Sequence, residues 1–282
     1  MIRLDDKVAI VTGGGRGLGR AYALALAAAG ARVVVNDLGV QLDGSAPGDD
    51  SAGSVVNEIR GGGGHAIANT DSVTDPGGVE RLFESALALF QRVDILVNNA
   101  GIVRSRPIVD MSDADFDDVV AVHLRGTFLC TRAAMRIMRA AGRGGRIVNT
   151  TSGRAYYAPS AGTANYAAVK GGIISFTGVV AAEGVDARIT CNAVSPLART
   201  RMAAQFLAGQ TDRSLDPEAI APLVVFLASD AAAGISGKVL RVARGEIAVV
   251  ESAIGRAMQP NGGRWTAEEI AERIHEILAE VA

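Results

Sequence analysis

The sequence predicts an α/β fold: a doubly wound, mostly parallel sheet of seven strands with helices on both faces. Three observations predict it. Short runs of Val, Ile and Ala alternate along the chain with Ala-rich stretches at helical spacing, the pattern of strand–helix–strand crossovers. The strand runs are continuously apolar, as strands covered on both faces are. A glycine-rich turn, "TGGGRGLG" at 12–19, joins the first strand run to the first helical run, where such sheets bind phosphate groups.

The elements follow in order. "KVAIVT" (7–12) is a buried strand and "LGRAYALALAAAG" (18–30) a helix closed by glycine. "ARVVVND" (31–37) is the second strand, "SVVNEIRGGGG" (54–64) a helix and "HAIANT" (65–70) the third strand. "GGVERLFESALALF" (77–90) is helical, and "VDILVNNAG" (93–101) is the fourth strand with its turn. A long helix over 114–142 precedes the fifth strand, "GRIVNTTS" (145–152). "YAAVKGGIISFTGVVAAEG" (166–184) is a helix and "ARITCNAVSP" (187–196) the sixth strand. "PEAIAPLVVFLASD" (217–230) is a helix before the last strand, "GKVLRVA" (237–243).

Two stretches break the alternation: a polar, Gly-rich insertion at 38–53 and an irregular segment at 244–265. Residues 1–245 are therefore expected to form the dinucleotide-binding and catalytic domain. Residues 246–282 form a C-terminal extension that packs on the same domain or on a partner subunit. Its final helix, 266–282, opens with a Thr266/Glu269 capping-box pattern and repeats Ile270, Ile274, Ile277 and Val281 on one face.

Composition narrows the function. The 282 residues are 49% hydrophobic and 21% charged, enough for a packed core. The net charge is −2 and there is no basic stripe, which argues against nucleic acid as a partner. Cys130 and Cys191 lie in apolar runs and cannot make a disulfide framework. Asp5 and Asp6 stand where a signal peptide would be basic. No apolar run reaches about eighteen residues, so no membrane span and no membrane partner are expected. A cytoplasmic setting fits. His65, His123 and His275 are scattered without metal-ligand spacing, so the expected metal set is none.

The glycine-rich loop carries Gly13, Arg16, Gly17, Leu18 and Gly19. Glycines let the backbone approach a pyrophosphate, which meets the free amides of the helix N-terminus. Asp37 ends the second strand about 20 residues on, where an acid accepts the ribose hydroxyls of NAD and repels the 2′-phosphate of NADP. Arg16 pulls the other way, since a cation there suits that phosphate; Asp37 is weighted more, and NAD is the expected cofactor. Asp71, followed by Ser72, ends the third strand and is placed for the adenine amino group. "NNAG" ends the fourth strand: Asn98 and Asn99 tie neighbouring strands, and Ala100 and Gly101 leave room for the cofactor.

"NYAAVK" at 165–170 puts Tyr166 and Lys170 one helical turn apart. A phenol titrates near 10 in water, and a nearby ammonium favours the phenolate. Tyr166 then becomes a base for a substrate alcohol. Ser152, ending the fifth strand, is placed to bond the same oxygen.

"TGGGRGLG", "NNAG", Ser152 and "YAAVK" together resemble the short-chain dehydrogenase/reductase family, from about residue 5 to residue 245. The resemblance implies Tyr166 as acid/base, Lys170 as its modulator and holder of the nicotinamide ribose, and Ser152 as the oxygen-binding hydroxyl. It places Pro196, Leu197 and Thr200 at the nicotinamide and implies a homotetramer. His123, in "VHLRG", stands where the family usually has a catalytic Asn, and either holds a relay water or fills space. Fourteen steps separate Ser152 from Tyr166, one more than the family spacing, so Tyr156, Tyr157 and Ser160 stay open as substrate contacts.

"VVVNDLG", "VVNEI", "GGHAIANTDSV" and "VHLRGTF" further resemble the (3R)-hydroxyacyl-CoA dehydrogenase unit of peroxisomal multifunctional enzyme type 2. That resemblance implies a 3-hydroxyacyl-CoA or a hydroxysteroid as substrate. Met202, Phe206 and Leu207 in a lid would line an apolar mouth, with Arg199 and Arg201 at its rim. The alternatives are a 3-oxoacyl carrier-protein or small-carbonyl reductase, and a dinucleotide-sensing protein without turnover.

Overall fold

The computed structural model describes all residues except 1, 46–48, 158, 205–206, 256, 262 and 279–282, and of Ile277 the backbone alone. The chain divides into two compact units, Met1–Val249 and Val250–Ala282.

The first unit opens with β1 (Val8–Thr12), α1 (Gly17–Ala28), β2 (Arg32–Asn36), α2 (Ser51–Gly61) and β3 (Ala66–Asn69). It continues through α3 (Pro76–Phe90), β4 (Ile95–Asn98), α4 (Asp113–Val119), a π-helical segment (Val120–Arg125) and α5 (Gly126–Ala141). β5 (Gly145–Thr150), α6 (Ala164–Gly184), β6 (Ile189–Pro196), α7 (Pro217–Ala228) and β7 (Val239–Ala243) complete the winding, and β8 (Glu246–Val250) follows. The sheet order is β3-β2-β1-β4-β5-β6-β7-β8, and every pair from β3 across to β7 is parallel. The winding order of the sheet reverses between β1 and β4, so a crevice opens at the C-terminal ends of those strands.

Alternate strand residues feed opposite faces of the sheet. Ala9 and Val11 of β1 pack with Tyr22 and Leu26 of α1 and Val224 of α7. Val8 and Ile10 pack with Leu82 and Phe83 of α3 and Met138 of α5. Both faces are thus dry, which is why these strands read as unbroken apolar runs.

Three expectations change. The sheet has eight strands: β8 lies in the stretch read as irregular and is joined to β7 by a two-residue turn, Arg244-Gly245, both at positive φ (51° and 79°). The helix expected over 114–142 is broken by the π-helical segment, which holds His123. By length and composition α6 with its following turn (Ala164–Ala187) is apolar enough to cross a membrane. Here it packs on β6 and buries Lys170.

In the second unit α8 (Ala267–Arg273) and α9 (His275–Leu278) replace the single predicted helix. Thr266 accepts from the Glu269 amide, while the Glu269 carboxylate turns to the Asn261 amide and Arg273. Of the expected apolar face, Ile270 is exposed and Ile274 half-buried; Val281 and the Ile277 side chain lie outside the described residues.

Candidate active site

The floor is built where β1 and β4 end. Thr12 Oγ1 accepts the amides of Asn99 (3.1 Å) and Ala100 (3.2 Å), and Asn99 Nδ2 donates to the carbonyls of Thr12 (3.2 Å) and Gly13 (3.1 Å). A side chain at Gly19 would overlap the Gly13 carbonyl, so α1 leaves the loop this tightly only with glycine there. Arg16, the N-cap of α1, gives the helix no side-chain cap, and the first-turn amides keep their capacity for an anion.

Above this floor lies a cleft of about 840 Å³. Gly13, Arg16, Gly17, Leu18, Asp37, Asp71, Ser72, Ala100 and Gly101 line it, together with His123, Ser152, Tyr166, Lys170, Pro196, Leu197 and Thr200. Of the predicted site residues, Gly19 and Asn98 do not line it. Asn98 is buried in a polar ladder: its Nδ2 donates to Thr131 Oγ1 (3.0 Å) and Asn149 Oδ1 (2.9 Å), and Asn149 Nδ2 donates to Thr177 Oγ1 (3.0 Å).

The insertion after β2, read only as a polar loop, is a strap across the cleft. The Val103 amide donates to the Leu42 carbonyl (2.9 Å) and Arg104 Nε to the Asp43 carbonyl (2.8 Å), tying its tip to the segment after β4. Leu38, Val40, Gln41, Leu42 and Gly44 face the cleft. At its root, Asp37 accepts from the amides of Gly15 (2.9 Å) and Gly39 (2.8 Å). Arg16 bonds the Val40 carbonyl (2.9 Å) and the Asp49 carboxylate. The Asp71 carboxylate is braced by Arg81 (2.6 Å) and Asn69 (2.8 Å).

At the other end, α6 begins where Asn165, fully buried, ties the carbonyls of Arg104 (2.9 Å) and Asp115 (2.8 Å) and accepts the Tyr166 amide (2.7 Å). One turn on, Lys170 Nζ donates to the Thr150 carbonyl (2.7 Å) and sits 5.5 Å from the Tyr166 ring centre. Burial pulls the Lys170 ammonium down to about 7. Burial also pushes the Tyr166 phenol up, opposed by a hydrogen bond with Ser152 and by the charge of Arg154. Desolvation is the largest of these influences, so the net direction is upward. Arg154, which sequence reasoning missed, lines the cleft and supplies a cation.

His123 stands edge-on to Tyr166, ring centres 5.4 Å apart. Its Nε2 lies 2.8 Å from the Ile102 carbonyl, and Nδ1 is buried without a partner among the described residues. Burial drives the imidazole down to about 3, so it is neutral; Nε2 meets both the Ile102 carbonyl (2.8 Å) and the Ile102 amide (3.1 Å), and in the tautomer whose Nε2–H donates to the carbonyl Nδ1 is a bare acceptor. Gly101 lines the cleft with its backbone, and a Cβ there would overlap the imidazole.

The mouth differs from expectation. Tyr156 turns away and donates to Ser195 Oγ (2.8 Å), and Tyr157 is 71% exposed beside Arg241. Neither they nor Ser160 line the cleft; Met202 does, its Sδ 3.9 Å from the Tyr166 hydroxyl. Leu207 is buried, and Phe206 lies outside the described residues. Arg199 is paired with Asp216, whereas Arg201 lines the cleft.

The uncapped amides beside a glycine floor, and a cleft that holds both the Asp37 carboxylate and the Ser152–Tyr166–Lys170 group, fit a nicotinamide dinucleotide. The comparisons agree. The short chain dehydrogenase family model matches residues 7–210. Peroxisomal multifunctional enzyme type 2 of Mus musculus is 46% identical over 226 residues, 80% of this chain and 30% of that protein, so the chain spans under a third of it. A hydroxyacyl-CoA dehydrogenase of Mycobacterium tuberculosis is 38% identical, covering 98% of this chain and 90% of its own. The crystal structure of a short chain dehydrogenase from Mycobacterium avium superposes with a TM-score of 0.87 at 44% identity, over 98% of this chain and 96% of that one. With the motifs in order, the sheet wound as described and nearly three quarters of the chain matched, the protein belongs to the short chain dehydrogenase family.

Proposed function

We propose that the protein is an NAD-dependent dehydrogenase that interconverts a secondary alcohol and a ketone, with a 3-hydroxyacyl-CoA as the favoured substrate. One observation carries the chemistry: Ser152, Tyr166 and Lys170 meet in one cleft, with Ser152 hydrogen-bonded to Tyr166. The Ser152 hydroxyl bonds the substrate oxygen. Tyr166, as phenolate, takes the hydroxyl proton during oxidation and returns it during reduction. Lys170 holds the ribose beside it, and the charge of Arg154 favours the phenolate. The Nδ1 of His123 offers an acceptor behind Tyr166. The bound dinucleotide supplies the hydride acceptor or donor.

NAD is favoured because Asp37 lies at the end of β2, where a 2′-phosphate would meet its carboxylate. The substrate class is supported by relatives named for hydroxyacyl-CoA and multifunctional dehydrogenases, and by Met202 and Arg201 at the mouth, apolar lining beside a cation. A hydroxysteroid suits the same lining without the phosphate clamp. Phe128 on α5 (41% exposed) and Val179 on α6 (58% exposed) leave apolar faces suited to a homotetramer. We place the protein in the cytoplasm on its two unpaired, buried cysteines.

The test is NADH formation from 3-hydroxyacyl-CoAs, hydroxysteroids and small secondary alcohols. Arg201→Ala should raise KM for the acyl-CoA and leave a steroid alcohol unchanged. Preferred turnover of small polyols would remove the proposed substrate class, and no turnover of any alcohol or ketone would favour a sensor.

A further inference from the structure

The cation in the glycine-rich loop is already engaged. Arg16 leaves the start of α1, reaches across the end of β2 and grips both arms of the strap: the Val40 carbonyl on the outgoing arm (2.9 Å) and the Asp49 carboxylate on the returning arm. The arms close together there, since a side chain on Gly39 would overlap the Asp49 backbone. Asp37 fastens the same corner through the Gly15 and Gly39 amides. The next residue, Asp50, is not competing for Arg16, because it caps α2 through the Gly53 amide (2.8 Å).

The other cations of the cleft lie elsewhere. Arg104 is paired with Asp118 (2.8 Å) and bonded to the strap tip. Lys170 is held by the Thr150 carbonyl, Arg154 acts on Tyr166, and Arg201 lines the cleft next to Thr200. Arg16 is therefore the guanidinium placed to meet a phosphate on the adenosine ribose, and a guanidinium bonded to a carboxylate has its charge matched and its fork occupied.

We propose that Asp49 is a positioning residue that sets cofactor choice through Arg16. Holding the guanidinium in the strap keeps it from a 2′-phosphorylated dinucleotide, so the exclusion of that phosphate rests on two carboxylates, Asp37 by repulsion and Asp49 by sequestration. The inference builds on the NAD reading above and explains why a loop with a cation at this position can still favour the unphosphorylated cofactor.

The test is equilibrium binding of NADH and NADPH, followed by nicotinamide fluorescence, which needs no substrate. In Asp49→Ala the NADPH affinity should rise about tenfold relative to NADH, the worth of one charge-assisted hydrogen bond between the released guanidinium and the phosphate. Asp49→Asn, which keeps the shape and a weaker acceptor, should shift the ratio less. Adding Arg16→Leu to Asp49→Ala should abolish the gain. A merely structural clasp would weaken both cofactors together and leave the ratio where it was; that result overturns the proposal, as does a gain that survives Arg16→Leu. The wild-type ratio tests the NAD reading separately: NADPH preferred by wild type refutes that reading, whereas an unchanged ratio in Asp49→Ala refutes the clasp alone.

Discussion

Replacing Lys170 by methionine should stabilise the fold while removing activity, by an amount that depends on pH. The Lys170 side chain is 3% exposed, and burial lowers its pKa from 10.5 to about 7. The unfolded chain keeps the ordinary value. Between those two values the unfolded chain binds a proton that the folded chain does not, so wild-type stability rises with pH through that window and the full penalty stands below it. The difference, 10.5 − 7, corresponds to roughly 5 kcal/mol at 1.36 kcal/mol per pH unit. The lost bond to the Thr150 carbonyl, about 1 kcal/mol or more, and local relaxation offset part of that. The pH dependence is free of these offsets. From about pH 7 to pH 9 the advantage of Lys170→Met over wild type should shrink by roughly 2 kcal/mol. Urea unfolding of both proteins at matched concentration across that range measures it. A stability gap that does not move with pH would show that Lys170 stays charged in the folded protein, and the reasoning would fail.

Tyr166→Phe should bind NADH normally and lose about 10²-fold or more in turnover; near-normal turnover would remove Tyr166 as the acid/base. Because the charge of Arg154 lowers the Tyr166 pKa against burial, Arg154→Ala should raise it further. The alkaline-rising limb of alcohol oxidation then moves to higher pH, and an unmoved pH–rate profile counts against that coupling. Gly101→Ala should cost about 1–3 kcal/mol by forcing the His123 ring aside. Adding His123→Asn should recover part of that loss, as contacting residues are non-additive; strictly additive effects in thermal unfolding would argue against the contact.

The sheet and the site's order along the chain were legible because both rest on local chemistry. β1 and β4 are buried throughout, so their runs carry no polar alternation, and Tyr166 and Lys170 are a single helical turn apart. β8 was missed although its signal was present: Arg244-Gly245 sits between two β-branched runs, a short turn with both residues at positive φ, as hairpins use. Its mostly exposed face hid it. The strap could not be read, because Arg16 and Asp49 are 33 residues apart and Leu42 and Val103 still further. Nor could the π-helical turn around His123, whose ring meets Gly101 from 22 residues further along the chain. The upward push of burial on the Tyr166 phenol could not be read either, because spacing reports a neighbour's charge and says nothing of desolvation.

The polar ladder beneath the floor decides how the helix bearing Tyr166 is indexed. α6 is apolar or small on nearly every side, "ANYAAVKGGIISFTGVVAAEG", so burial of greasy surface would accept it rotated or slid by a turn at little difference in energy. Two fixed polar partners would not: Thr177 must face Asn149, and Lys170 must face the Thr150 carbonyl. Sliding the helix by one turn would strand both pairs in a dry interior, at about 1–3 kcal/mol for each group left unsatisfied. The ladder thus works as a detent, a notch giving an otherwise slippery rod one setting, and the hydroxyl that moves the proton is held in place by an asparagine that never touches the substrate.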